Sequence, residues 1–205
     1  MSQVAQPGRE VSGTRARTRQ AILDAAASVC ARNPNASLAD IAAAADVGRT
    51  TVHRYFPDRA HLERSLVEDT YRAIGVALDD AAVDEGSARE ALRRLILGLV
   101  ALDDRMRCLF FHASTSADDE SPHTQEPDEF DWSLRRLVER GQASGEFDTK
   151  VSPAWIESVL WALLYAGFSA AAEGELPRHG VAQHIIRTLE GGICSPQSGD
   201  ELNHS

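Results

Sequence analysis

The chain has 205 residues, 43% of them hydrophobic, and a formal net charge of −10. That is enough apolar material for one or two small domains with a buried core. Taken alone the charge argues against DNA binding, but it is unevenly spread: residues 1–60 hold eight Arg against five acids, and the remainder holds 13 basic against 26 acidic residues. A locally basic head on an acidic body suits a protein that touches phosphate at one end. The three cysteines, Cys30, Cys108 and Cys194, are odd in number and too far apart for a metal knuckle. They read as free thiols of a reducing cytoplasm. Residues 1–14 are polar with no apolar core, so no signal peptide is expected.

In chain order, residues 1–14 read as a flexible arm. A first helix is expected over 15–32, with Ile22, Ala26, Val29 and Cys30 inward and Asn33-Pro34-Asn35 ending it. Arg15, Arg17 and Arg19 at its start read as phosphate contacts rather than merely a solvated helix start. Ser37 can cap the next helix, and Asp40 three residues on completes a capping box. Leu38, Ile41, Ala42 and Ala45 recur at helical spacing. Asp46-Val47-Gly48 breaks the pattern with residues that tolerate left-handed backbone. A second short helix then spans about Arg49 to Phe56, with Val52 and Phe56 inward. Its outward set is Arg49, Thr50, Thr51, His53 and Arg54: hydrogen-bond donors, two positive charges and no carboxylate. That is the chemistry of a helix meant for the DNA major groove.

Asp58 can cap a long helix over 59–82, long enough to carry movement from the body to the head. Ser87 and Glu90 form another capping box, opening a helix from 88 to about 103 whose run from Leu95 to Leu102 is uncharged, as in a central helix. Asp103-Asp104 marks a kink before a shorter helix with Met106, Leu109, Phe110 and Phe111. Residues 115–127 read as a loop, and seven acids fall between Asp118 and Asp131. They are a solvated loop and the negative start of the next helix, or an entrance for cationic ligands. That next helix, 128–143, has Phe130, Leu134, Leu137 and Val138 inward. Ser152-Pro153 opens another helix with a cap and a first-turn proline. Its stretch from Ser158 to Ala172 carries no charge over 15 residues, which is short for a membrane span. A last helix follows Pro177, with Val181, Ile185, Ile186, Leu189 and Ile193, and residues 195–205 are a polar tail. No strand-like alternation appears, so the fold class is all-α.

Catalysis finds little support: there is no nucleophile elbow, no phosphate loop and no His-Glu-x-x-His. No cofactor is implied. His112 and His123 near Cys108 match no standard zinc spacing. Met106, Phe110, Trp132, Trp161, Tyr165 and Phe168 mix large apolar surfaces with a few polar tips, which is how small-molecule pockets are lined. Aromatic residues at helical spacing are also ordinary core. Tyr165, Ser169, His112 and Arg105 could orient a polar end of a ligand.

Residues 19–62 resemble the DNA-binding domain of the TetR (tetracycline-repressor) family. The resemblance rests on Arg19, Ile22, Ala25, Ser37, Ile41, Ala42, Ala45, Val47, Thr51, Tyr55, Phe56 and Leu62. The family usually has Gly at the position of Asp46, Ser at Gly48, Gly at Thr50, Tyr at His53 and Lys at Arg59. The resemblance implies a three-helix DNA-binding head at 1–57 and a helical ligand-binding and dimerisation body at 58–194. It adds Ser37, Tyr55 and Arg59 as phosphate contacts to the outward set of the second short helix. It implies a pocket among the middle helices of the body. It also implies a homodimer paired through the last two helices, around Trp161 and Val181, with Leu160, Leu164 and Ile185 in the seam. The expected protein is a cytoplasmic, sequence-specific transcriptional regulator on a double-stranded DNA operator, not an enzyme and not in a membrane. Release by a small, largely apolar or aromatic effector is the main reading, and a DNA-binding dimer with a protein partner or no effector is the other.

Overall fold

The structure, a computed structural model, describes the backbone of residues 7–115 and 129–193, with side chains from 13 to 112 and from 132 to 193. Residues 1–6 of the expected arm, the acidic loop with His123, the Phe130 side chain, Cys194 and the polar tail lie outside the described residues. Every element among the described residues is helical: α1 (Pro7–Arg32), α2 (Leu38–Ala44), α3 (Arg49–Tyr55), α4 (Arg59–Ala81), α5 (Ala88–Ala101), α6 (Asp103–Thr115), α7 (Glu129–Ala143), α8 (Pro153–Glu173) and α9 (Val181–Ile193). A 3-10 turn, Arg178–Gly180, leads into α9.

The chain packs as two compact units, one of residues 1–72 with 104–115, the other of residues 73–103 with 116–205. Helix α4 runs unbroken through the point where one unit gives way to the other. These packing units divide the chain elsewhere than the division by role expected at 57/58.

In the first unit α1 starts at Pro7 rather than near Arg15. Proline suits a first helical position, where its missing N–H would have no partner anyway. The core joins Ile22, Leu23, Ala26 and Ala27 of α1 to Ile41, Ala42, Val52 and Phe56 of the two short helices, then to Leu62, Leu66 and Cys108. Helix α6 is fastened to α1 by polar bonds as well. Arg107 donates to the Ala31 carbonyl at 2.7 Å. Arg105 pairs with Asp24 at 2.5 Å and with Asp69 at 3.0 Å. Burial opposes the charge of Arg105, but the two carboxylates outweigh it and raise its pKa. Arg105 is thereby committed within this unit, not left to meet a ligand as expected.

In the second unit α5 packs on α7 and α9, and α8 on α7 and α9. Gly98 lets α5 close on Ala77 of α4, where an added Cβ would meet the Ala77 Cβ at 3.1 Å. Gly167 does the same for α8 and α9, with Val181 2.8 Å from such a Cβ. The expected kink at Asp103-Asp104 is a full break, with Leu102 as the C-cap of α5. Ser152 caps α8 and Pro153 occupies its first turn, as the sequence predicts. Glu146 takes a role the sequence did not suggest. Its carboxylate accepts from the Ser87 hydroxyl at 2.5 Å and from the backbone N–H groups of Ala88 and Arg89 at 3.0 and 3.1 Å. It thus caps the start of α5 from across the unit. The Ser87 hydrogen bond and the two backbone donors hold its pKa down to about 2, against a smaller opposing effect of burial.

Candidate functional site

The first unit presents a helix–turn–helix. Ser37 caps α2, accepting from the Asp40 N–H at 3.2 Å, while the Asp40 carboxylate accepts from the Ser37 N–H at 2.8 Å and hydroxyl at 2.7 Å. This is the capping box read from sequence. The same hydrogen bonds pull the Asp40 carboxyl below its ordinary pKa. Asp46 then adopts φ +53°, the left-handed conformation anticipated for it, and turns the chain into α3. Gly48 stands at the N-cap of α3 with extended backbone and no side-chain cap bond.

Helix α3 buries Val52, and Phe56 just beyond it is fully buried. The expected outward set follows: Arg49, Thr50, His53 and Arg54 are exposed, and Thr51 is half-buried. His53 Nδ1 lies 3.3 Å from the Pro57 carbonyl. Arg54 rests over the Tyr55 ring at 5.5 Å, and Arg19 over Phe56 at 5.4 Å. Arg15 and Arg17 are exposed on α1. Tyr55 is half-buried beside Phe56. Arg59 departs from expectation. Its guanidinium donates to the main-chain oxygens of Ala36 and Pro34 and pairs with Glu63 at 2.6 Å. It fastens α4 to the α1–α2 turn, which leaves it poorly placed for phosphate.

The second unit contains a cavity of about 300 Å³ bordered by Val100, Asp103, Phe168, Ala171, Arg178, His179 and Val181. Asp103 and Arg178 form an ion pair at 3.2 Å on its wall. Of the six residues expected to line a ligand pocket, only Phe168 borders this cavity. Trp132 and Tyr165, expected on the wall of a ligand pocket, are 55% and 57% exposed. Trp161 is half-buried on α8, and in the first unit Met106 is fully buried and Phe110 half-buried. Periodicity could not find the other cavity residues, because the end of α5 meets the start of α9 only through tertiary packing. Among the described residues no group of three His, Cys, Asp or Glu side chains converges as a metal site.

A basic, carboxylate-free helix presented by a capped helix–turn–helix defines a DNA-binding regulator of the helix-turn-helix class. The family described as "Bacterial regulatory proteins, tetR family" matches residues 22–66. The HTH-type transcriptional repressor LfrR of Mycolicibacterium smegmatis is 38% identical over 184 residues, covering 90% of this chain and 94% of that protein. The crystal structure of the TetR-like regulator LfrR from Mycobacterium smegmatis in complex with proflavine superposes with a TM-score of 0.69 at 36% identity, covering 88% of this chain and 99% of that one. A TetR-family transcription regulator from Marinobacter aquaeolei VT8 shares the fold, with a TM-score of 0.60 at 20% identity over 92% of this chain and all of that one. The chain belongs to the TetR family. It is a DNA-binding transcriptional regulator with a helix-turn-helix head and a helical body, and not an enzyme.

Proposed function

We propose that the chain is a cytoplasmic repressor that binds its operator as a homodimer and leaves it when a small, largely apolar or aromatic molecule enters the body. In this reading residues 1–57 are the DNA-binding head and 58–194 the effector and dimerisation domain. Arg49, Thr50, Thr51, His53 and Arg54 meet base edges or nearby backbone, and Ser37 and Tyr55 meet phosphate. Arg59 contributes by holding the turn.

The observation that carries the effector half is the cavity walled by Phe168, Val100, Ala171 and Val181. Its volume of about 300 Å³ is at the small end of ligand pockets. An aromatic ring fits against Phe168, and the Asp103–Arg178 pair can orient a polar substituent. The relative solved with proflavine, a planar aromatic compound, supports this ligand class. Effector and operator then oppose each other through a coupling free energy, typically about 1–3 kcal/mol, felt equally by both.

The homodimer rests on α8. Its most apolar 18-residue stretch has a mean hydropathy of 1.3, yet only 33% of that stretch is buried within the chain. Ser158, Ala162, Tyr165 and Ala166 are exposed on it, beside Trp155 at 63%. By length and composition the whole 21-residue helix could cross a membrane, but Glu157 and Glu173 bracket its uncharged stretch and its other face packs on α7 and α9. A second copy is the cover that suits it. Two heads then sit about 34–36 Å apart for successive major grooves.

The decisive experiment is selection of bound fragments from the source genome, followed by release assays with planar aromatic compounds. A palindromic operator freed by a compound that also raises the melting temperature is the expected result. Stabilising compounds that leave DNA affinity untouched would favour the dimer with no small effector. Ala171→Trp, which fills the cavity, should abolish release while preserving operator binding.

A further inference from the structure

We propose that Cys30 and Cys108 form a peroxide-sensitive dithiol, which closes to a disulfide and ties α1 covalently to α6. Both belong to the first unit and both are free thiols. Cys108 is buried, its Sγ 3.3 Å from the Ala27 carbonyl oxygen. Cys30 lies one turn further along α1, half-buried and packed against the core cluster that holds Cys108.

The pair lines a cleft of about 30 Å³ with Pro34, Arg59, Glu63 and His112. One water-sized molecule needs about 10–15 Å³ of such space, so a small peroxide can enter. The Arg59 guanidinium is fixed at this cleft by the Ala36 and Pro34 carbonyls.

The environment divides the two roles. The hydrogen bond with Cys108 holds the Cys30 thiol below its ordinary pKa; Arg59 adds to this, and burial and Glu63 oppose it without cancelling it. Contact with Cys30 and burial push Cys108 up. Cys30, the more exposed of the two and sharing the cleft with the Arg59 guanidinium, is therefore the nucleophile, and the buried Cys108 is the resolving thiol.

In the first step the Cys30 thiolate attacks one oxygen of hydrogen peroxide. An S–O bond forms and the O–O bond breaks. The departing hydroxide takes up the proton that Cys30 released and becomes water, leaving a sulfenic acid. That acid is neutral, so the negative charge that opposed ionisation of Cys108 has gone. In the second step the Cys108 sulfur attacks the Cys30 sulfur, the S–O bond breaks, and hydroxide leaves with the Cys108 proton as a second water. Two thiols and one peroxide give one disulfide and two waters.

The test uses the full chain carrying Cys194→Ser, treated with stoichiometric hydrogen peroxide and analysed by non-reducing mass spectrometry. The expected result is a loss of about 2 Da, as two thiol hydrogens leave on oxidation. It should come with a linked peptide pair containing Cys30 and Cys108, full reversal by dithiothreitol, and a melting temperature higher by several degrees. Dimedone should trap a sulfenic acid on Cys30 in Cys108→Ser and leave Cys108 unlabelled in Cys30→Ser. If Cys108→Ser does not fold, limiting iodoacetamide on the Cys194→Ser protein decides the order of reactivity. Alkylation of Cys30 before Cys108 supports the assignment. Alkylation of Cys108 first, or peroxide treatment that yields no linked peptide, overturns it.

Discussion

Arg59 donates to the carbonyl oxygen of Ala36 across 23 positions of sequence, and so ties the start of α4 to the turn between α1 and α2. Its neighbour on the same turn, the Pro34 carbonyl, takes a second N–H. Arg59→Ala should therefore destabilise the protein by about 1–3 kcal/mol, the cost of leaving partly buried acceptors unpaired. Urea denaturation would read this as a lower midpoint. Arg49→Ala should leave that midpoint unchanged and shift operator preference by about 1–3 kcal/mol. The reverse pattern would place Arg59, not Arg49, on the DNA.

The left-handed backbone of Asp46 predicts a gain from glycine. Asp46→Gly should stabilise the head by about 0.5–1 kcal/mol, because glycine adopts φ +53° without a Cβ clash. Gly48→Ser should add a few tenths of a kcal/mol by supplying the missing cap. An added Cβ there meets nothing nearer than the Thr51 hydroxyl at 4.0 Å. Thermal melts of both variants check the pair, and a lower melting temperature for Asp46→Gly would contradict the strain argument.

Glu146 predicts a pH dependence with a definite sign. Its folded pKa is about 2, below the ordinary value of 4.5. It contributes stability that is fully present above about pH 4.5 and is lost as pH falls toward 2. Glu146→Ala should cost about 1 kcal/mol at neutral pH, as for loss of a helix cap. It should also flatten the acid limb of the stability curve. An unchanged acid limb in the variant would show that other carboxylates set it.

The outer face of α8 separates dimerisation from folding. Leu160, Leu164 and Ile185, expected in the dimer seam, are 1%, 0% and 2% exposed within the single chain. Leu160→Asp should unfold the body, since it buries an unpaired charge. Tyr165→Asp and Ala162→Asp should leave the circular dichroism spectrum intact and shift sedimentation from dimer to monomer. An interface of the size expected, more than about 2,000 Å² in total, should not survive two charges at its centre. A double variant that still sediments as a dimer would place the interface elsewhere.

Much of the head was legible in the sequence because its signals are local. The Ser37–Asp40 box, the Asp46 turn and the Val52–Phe56 spacing each involve residues within four positions of one another, where backbone geometry alone brings side chains together. The Ser152-Pro153 start of α8 was legible for the same reason. Local pattern also settled that the chain is all-α and that the outer face of α3 carries no acid. Tertiary structure alone decided which partners the long side chains found. Arg59 reaches carbonyls more than 20 residues away, Glu146 caps a helix that begins 58 positions earlier, and Cys30 shares a cleft with Cys108. It also decided that Phe168 borders a cavity while Trp132 and Tyr165 face outward. Helical periodicity says that a residue lies on an apolar stripe but not which neighbour covers that stripe. A side chain in the core, one on a cavity wall and one awaiting a second subunit obey the same 3.6-residue repeat.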